Sequence, residues 1–523
     1  MNIKEWIFTT DHKRVGILYL IGSMAAFAIA GVMAMLMRAE LSTLGPTITD
    51  NPATYNVWLY AHGAIMILGF QIPALTGFFA NFCIPLMIGA TDVAFPRVNA
   101  LSVWLFYVGV ILALLTFFIP DPPDVMWTGY PPYSTITTGN TAFYTFTVLI
   151  LGFASIIGGV NFLTTVAYMR APGLKWTNLN IFVWCTLGAF VLQLIFVPVL
   201  GTAVTLISLD KYLGTHFFDP ANGGDVLTYQ NLFWFYSHPA VYVIFLPFFG
   251  VLFEIVATFS RNKVFNYKMV VFGGIFGVVA LAGVVWVHHL YVSGMADWLR
   301  IGMMVTTLMI SVPVGLMLIG LVGTLYKGSI TFETPMLYAS GVLFLFLIGG
   351  LTGIPLAVTS LTVHLSRTYY VVGHFHYVMA VAGTFSIFAG VYYWFPKFTG
   401  RMYNEFWGKV GFWITFVGTN MVFWTMMDIG VQGMPRRYYD YAQFPQFVTA
   451  HQFMTVGSII LGIGFVIAVV NWIVGAIRGP KAGDNPWGSH SLEWTTVSPP
   501  PHGNWPSPPS VADDWTPYGY EKR

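Results

Sequence analysis

Charge is what this chain has least of: only 8% of its 523 residues are Asp, Glu, Lys or Arg, against about 25% in a soluble domain. Set beside 56% hydrophobic residues, that scarcity excludes a soluble enzyme and a disordered chain, and leaves an integral membrane protein. A formal net charge of +2 gives no electrostatic case for nucleic acid or a strongly acidic partner. Cysteine is nearly missing. Cys83 and Cys185 lie in separate apolar stretches, a spacing that fits neither a disulfide framework nor a thiolate metal site, so any redox chemistry must use other ligands. No internal repeat of about 20–50 residues is visible. Met1–Arg14 has neither the short apolar core nor the small-residue cleavage site of a signal peptide and is read as part of the mature chain.

What the chain does have is long uncharged runs. A helix needs about 20 apolar residues to cross the hydrocarbon layer. Twelve windows free of Asp, Glu, Lys and Arg qualify: approximately 15–37, 57–88, 98–120, 143–169, 178–208, 226–253, 269–294, 301–326, 335–359, 368–395, 410–427 and 445–477. With the N-terminus inside, only Arg38, Lys211, Arg300, Arg367, Arg436 and Arg437 fall outside, and the other 17 of the 23 Lys and Arg, Lys522 and Arg523 included, fall inside. The positive-inside rule therefore places both termini in the cytoplasm. The expected fold is an all-α integral membrane bundle of twelve transmembrane helices. Residues 1–14 form a cytoplasmic N-terminal segment, 15–478 the catalytic domain, and 479–523 a Pro/Trp-rich cytoplasmic tail. With 9 Pro and 4 Trp in 45 residues, this tail reads as an extended docking or disordered segment rather than a domain.

Ionisable side chains inside spans are rare, costly and functional by default. His62, His238, His288, His289, His374 and His376 lie within the second, sixth, seventh and tenth windows. With the N-terminus inside, all six fall two or three turns below the outer ends of their helices, in one layer of the outer half of the membrane. A single such histidine is most simply a packing residue sharing a hydrogen bond with a neighbouring helix; six on four helices at one depth point to metal. Neutral imidazole is the commonest metal ligand, and a dry apolar bundle suits iron or copper. On an α-helix His374 and His376 in GHFHY point about 160° apart, so one helix can hold a metal on each side. His288 and His289, about 100° apart, can share one metal with a third imidazole from elsewhere. His238 and Tyr242 in HPAVY lie one turn apart on the same face, with Pro239 removing a backbone donor between them.

YAHGAIMI, GATDVAFPR, FWFYSHPAVY, WVHHLY, YYVVGHFHY and GMPRRY follow one another along the chain. In these motifs the sequence resembles subunit I of the haem-copper oxygen reductases, the cytochrome c oxidase type, over nearly the whole membrane region. The resemblance implies that His62 and His376 are the axial ligands of a low-spin haem (haem a). By the same resemblance His374 holds a high-spin haem (haem a3), and His238, His288 and His289 bind the copper facing it (CuB). It implies that Tyr242 is linked covalently to its neighbouring copper-ligand histidine, His238, and gives an electron and a proton in O–O cleavage. Arg436 and Arg437 match the pair that engages haem propionates, as charge-assisted donors can. Trp127 in MWTGYPPY and Arg38 in MRAEL match residues near a propionate and the low-spin haem's formyl group; outer-interface Trp and Arg also serve as plain membrane anchors.

Oxygen reduction in a dry site consumes protons, so a polar route from the inner face is expected. Asp92, Asn81, Asn99, Ser155 and Asn161 match the family's D-type proton path. Many relatives have a glutamate at its top, where this chain has Ala240; Tyr236 and Ser237 give YSHP, resembling an A-type subgroup in which these two hydroxyls stand in for the carboxylate. Other departures lack such compensation. The K-type path expects threonine and lysine where PVGLM has Val314 and Met317, and a serine where Phe253 stands, so a water wire along that line lacks polar partners. Ser366 and Arg367 occupy the place of the His-Asp pair that binds an outer magnesium or manganese ion, so no such site is expected. His364 nearby is a lone interfacial histidine, and GMADWLRIGMM strays from the family's acidic and aromatic pattern.

The first functional reading is the catalytic subunit of a respiratory terminal oxidase, passing electrons through low-spin haem to a haem-copper centre that reduces O2 to water, with proton translocation in question. The alternative on the same scaffold is a nitric oxide reductase forming N2O, which tolerates loss of the lower path and the outer metal. A third reading, a non-redox transporter or channel using histidines as proton relays, predicts a colourless protein. Without a copper-thiolate motif, electrons must arrive through a subunit II-like partner, from cytochrome c or another periplasmic donor. Further membrane subunits, the lipid bilayer and a prokaryotic inner (cytoplasmic) membrane complete the expected setting.

Overall fold

The computed structural model describes residues 3–520 apart from Pro508 and Asp513; Lys522 and Arg523, counted above on the inner side, lie outside the described residues. Among the described residues the chain is helical, with no strand beyond two isolated bridges, Thr368 to Pro435 and Arg401 to Lys481. This is the all-helical membrane bundle expected. Among the described residues eleven helices are long and apolar enough to cross a membrane: His12–Glu40, Pro52–Met87, Pro96–Leu115, Thr141–Tyr168, Ile181–Leu213, Val226–Ser260, Asp297–Leu325, Thr334–Ala357, Tyr369–Thr399, Glu405–Val431 and Pro445–Arg478.

Several of these helices begin where a short polar side chain takes up first-turn N–H groups that have no helical acceptor. Asp11 accepts from Lys13 and Arg14, Asn51 from Ala53, Asn140 from Ala142, Asp225 from Leu227 and Thr228, and Thr368 from Tyr370. Burial then sorts the helices. The protein itself buries 94% of the apolar stretch of Val226–Ser260 and 89% of that of Tyr369–Thr399, but only 22% of that of His12–Glu40 and 28% of that of Pro445–Arg478. The two helices carrying His238, Tyr242, His374 and His376 are therefore central, and the outer helices turn an apolar face toward lipid.

The seventh window folds differently from expectation. Instead of one span over 269–294 there is a shorter apolar helix, Met269–Val284, which passes from π to α to 3-10 geometry, and then a separate 3-10 turn, Trp286–Leu290. Gly273, Gly274, Gly277 and Gly283 weaken the helix, and the 3-10 turn tightens the backbone where His288 and His289 lie. The assumption of α-helical spacing for this pair is therefore corrected: their rings sit 4.3 Å apart at 43°. GHFHY is not uniformly α-helical either. His374 ends an α segment and His376 opens the π segment His376–Val381.

The tail carries one short 3-10 turn, Leu492–Trp494, and lies against the ends of the helices. Asn504 is fully buried and meets His12 Nε2 at 3.0 Å, Lys13 Nζ at 2.8 Å and the Ala90 carbonyl at 2.8 Å. The Tyr518 hydroxyl donates to Glu254 (2.6 Å) and accepts from the Ile181 amide (2.7 Å). The start of the first span and the tail therefore share one end of the bundle.

The backbone of Glu405–Val431 approaches the GHFHY helix at Gly430, where a Cβ would lie 2.6 Å from Tyr370 Cα. Gly430→Ala should overpack this crossing by about 2 kcal/mol or more. A drop of several degrees in the apparent melting temperature of the detergent-solubilised protein is expected, and an unchanged value would contradict the contact.

Candidate metal and cofactor site

Protein interiors are close-packed, so a cavity of about 1360 Å³ in this bundle calls for an occupant. All six histidines singled out above line it, together with Tyr242, Arg38, Trp127, Arg436 and Arg437. Its wall is mostly apolar, with the polar groups gathered at a few points. A cavity above the usual range of about 300–1,000 Å³ for small-molecule sites suits more than one large planar group.

His62 and His376 face each other with ring centroids 6.4 Å apart and planes within 9°. Two imidazoles binding one metal from opposite sides, with metal–nitrogen bonds of about 2 Å, stand about 6 Å apart between centroids. His62 Nδ1 donates to the Ala30 carbonyl (3.0 Å), and His376 Nδ1 to the Val372 carbonyl (2.8 Å). Those bonds fix the tautomer and leave each Nε2 as a free lone pair, the state a metal requires. His374 is prepared in the same way, with Nδ1 3.0 Å from the Gly349 carbonyl and 3.2 Å from Thr352 Oγ1.

His238, His288 and His289 form a separate cluster. One ring nitrogen of each lies within 4.8 Å of the others, and among the described residues no other trio of such ligands converges this way. His238 Nδ1 and His289 Nε2 are 3.2 Å apart, His288 Nδ1 is 3.2 Å from Thr307 Oγ1, and His238 Nε2 is buried without a hydrogen-bond partner. Three neutral imidazoles converging in an apolar wall suit a copper ion. The Tyr242 ring sits 4.9 Å from that of His238, tilted by 58°.

Other side chains here went unnoticed in the sequence. Trp234 stacks on His289 at 3.7 Å and 7° and donates its indole N–H to the Tyr130 hydroxyl. It lies four residues before His238 in FWFYSHPAVY, one turn away on the same face, so helical spacing was the available signal. Phe423 stacks on His376 at 4.3 Å and 14°. His451, inside the twelfth window, is fully buried, and its Nδ1 accepts from Arg38 at 3.0 Å.

The cationic rim is built to take anions. Arg436 and Arg437 line the cavity, and among the described residues neither forms an ion pair with a carboxylate. Burial, with Arg437 beside it, pushes Arg436 down to about 9. A half-buried guanidinium pair with no carboxylate partner among the described residues is costly unless an anion reaches it, and carboxylates of a bound group fit. Arg38 Nε is likewise buried without a partner. Trp127 packs against Phe233 and Trp234, and a Cβ on Gly63, next to His62, would lie 2.9 Å from its own Cβ. Ser366 and Arg367 line the same cavity, where the Arg367 carbonyl accepts from the Arg436 amide at 3.0 Å.

The polar residues matched to a proton path are only partly brought together. Asn99 Nδ2 donates to Asn81 Oδ1 at 2.5 Å, and both line a small cavity with Ser155 and Tyr236. Asn161 instead pairs with the backbone of Phe95, and Asp92 Oδ1 accepts from the Val93 amide at 2.7 Å. Tyr236 and Ser237 line the large cavity, and Tyr236 lines the small one too. Met317 and Phe253 are fully buried, and the Phe245, Phe249 and Phe346 rings pack together near Tyr242.

With this geometry in place, three comparisons bear on it. A family profile described as cytochrome c and quinol oxidase polypeptide I matches residues 14–463. The chain is 41% identical over 517 residues to cytochrome c oxidase subunit 1 of Thermostichus vulcanus, covering 99% of this chain and 93% of that one. It is 42% identical over 494 residues to cytochrome c oxidase subunit 1 of Synechocystis sp., covering 94% and 89%. A solved structure of a haem-copper terminal oxidase dimer superposes with a TM-score of 0.79 over 90% of this chain and 85% of that one; at 19% identity this is a likeness of fold.

Asp92, in the loop before Pro96, has its carboxyl pushed up to about 6 by desolvation, against which the Val93 amide pulls down. Because this folded value lies above the ordinary 3.8, ionising Asp92 opposes folding. Its unfavourable contribution grows as pH rises from about 4 to about 6 and is constant above. An infrared carboxyl band lost with a midpoint near 6, and missing in Asp92→Asn, is expected; a midpoint near 4 would contradict the burial.

Proposed function

The chain belongs to the cytochrome c and quinol oxidase polypeptide I family, and on that premise we propose how its residues perform the work of the catalytic subunit of a haem-copper respiratory terminal oxidase. Haem and copper follow from the family. The finer assignment is the proposal: His62 and His376 hold a low-spin haem a, His374 a high-spin haem a3, and His238, His288 and His289 the copper CuB. The observation that carries it is the division of six histidines into a coplanar facing pair, a single oriented imidazole and a converging trio on one cavity wall.

When bound, the two haems and the copper would relay electrons and supply the centre at which O2 is reduced. The chain does the rest. Carbonyls of Ala30, Val372 and Gly349 hold three imidazoles in the ligating tautomer, and Trp234 fixes the plane of His289. The Tyr242 phenol, beside His238, is placed to give one electron and its proton when the O–O bond breaks. Arg436, Arg437 and Trp127 receive propionates, and Arg38, braced by His451, receives the formyl group. Asp92 collects protons for the route through Asn81, Asn99 and Ser155 to Tyr236 and Ser237, with Asn161 fixing the loop that follows Asp92. Met317 and Phe253 fill the alternative lower route with apolar volume, so Asp92 carries all the proton traffic.

The protein is a multi-pass membrane protein that works in a complex with other subunits. In finer terms we place it in the cytoplasmic membrane of a prokaryote. Because Cys83 and Cys185 are buried in separate helices, electrons reach it through a subunit II-like partner from cytochrome c or another periplasmic carrier. The alternative of nitric oxide reduction gains nothing from relatives that are cytochrome c oxidase subunits.

Turnover of the partner-containing complex with one artificial reductant, supplied with O2 or with anaerobic NO, tests the substrate: fast O2 consumption with little NO loss is expected, and the reverse would overturn the reading. In the same assay Asp92→Asn should slow O2 turnover by about tenfold or more, roughly 1.4 kcal/mol at the barrier. Wild-type turnover would show another proton route.

A further inference from the structure

Gln193 lies in the middle of the Ile181–Leu213 helix, 2% exposed, and neither its Oε1 nor its Nε2 has a hydrogen-bond partner. An amide at membrane depth with both ends unsatisfied is strongly disfavoured, so such a side chain marks a place where a polar ligand is held. Gln193 lines the small cavity of about 50 Å³ that also touches Asn81, Asn99, Ser102, Ser155 and Tyr236. That volume holds about three water molecules at about 15 Å³ each. At its Asn81 end the polar groups bond one another, Asn99 donating to Asn81, Asn81 to the Gly77 carbonyl and Ser102 to the Asn99 carbonyl, which leaves only the Asn99 Oδ1 of the asparagine pair without a partner. Ser155 donates to the Gly152 carbonyl. Of the three amide side chains here, Gln193 alone has neither its oxygen nor its nitrogen hydrogen-bonded.

The position of this cavity gives those atoms a task. Tyr236, Leu68, Val148 and Leu200 line both the small cavity and the large one that holds the histidines. Tyr236 is the only polar side chain of the four. A proton leaving the asparagine pair must therefore cross the small cavity and pass at Tyr236, where Ala240 offers no carboxylate.

We propose that Gln193 is a positioning residue of the oxygen-reducing reaction, holding the water molecules that connect the Asn81–Asn99 pair to the Tyr236 hydroxyl. Its amide oxygen accepts from one water and its amide N–H donates to another, so the water file keeps one direction of hydrogen bonding. The proton moves between waters, and Gln193 itself neither gains nor loses one. This inference rests on the reading of Asp92 as the proton inlet.

The test uses the complete complex with Gln193→Leu, Gln193→Glu and Asp92→Asn, following O2 turnover, its solvent deuterium effect and the haem absorption spectra. Gln193→Leu keeps the volume and removes both polar ends. It should slow turnover by about tenfold and raise the deuterium effect with unchanged spectra, while Gln193→Glu, which keeps a hydrogen-bonding end, should retain most of the rate. Wild-type turnover in Gln193→Leu with a slow Asp92→Asn overturns the role of Gln193 and leaves the inlet standing. Wild-type turnover in both overturns the inlet as well. A slow Gln193→Leu with shifted spectra, or an equally slow Gln193→Glu, assigns Gln193 to packing and overturns the proposal. Should Gln193→Leu fail to assemble, Gln193→Met replaces it, and failure of both likewise assigns packing.

Discussion

An imidazole or guanidinium held at membrane depth must find something to satisfy it, and the centre of this protein is organised around that requirement. Six histidines line one cavity, and two arginines reach its rim with no carboxylate ion pair among the described residues. The arrangement makes sense only with groups that accept the histidine nitrogens and give those guanidinium ions an anion. The two most buried helices carry three of the six histidines, because a site that must exclude water has to be surrounded by other helices rather than by lipid headgroups or solvent.

Much of this was legible in the sequence because charge is so scarce that every ionisable residue in a span stands out. Counting along the spans puts His62, His374 and His376 at one level, and all three line one cavity. The seventh window failed the same counting. Its glycines and valines are as apolar as any span, and nothing in hydropathy distinguishes a helix that crosses from one that breaks into a 3-10 turn to deliver His288 and His289. In GHFHY, where His376 opens a π segment, the two histidines are oriented by different backbone carbonyls, His374 by Gly349 and His376 by Val372, which angle counting alone does not foresee.

What stayed hidden was mostly neutral. Trp234 and Phe423 read as ordinary core aromatics, and only the fold shows them stacked on the His289 and His376 rings. Gln193 is one amide in a long apolar run, and its meaning lies in which helices face it. The tail shows a related limit: Pro and Trp in a run without periodicity do not tell which buried surface they meet, and here Asn504 and Tyr518 pair with His12 and Glu254 across hundreds of residues. Apolar replacement at Met317 and Phe253 was visible residue by residue, and the structure adds that the volume they occupy is filled.

The division of the six histidines is tested most directly by counting haem and copper in the purified partner-containing complex and in its His288→Ala variant. The account predicts two haems bound to this chain in both proteins, and the loss of one copper per complex in the variant. Copper unchanged by the substitution, or a haem lost along with it, would contradict the assignment of His238, His288 and His289 to one metal.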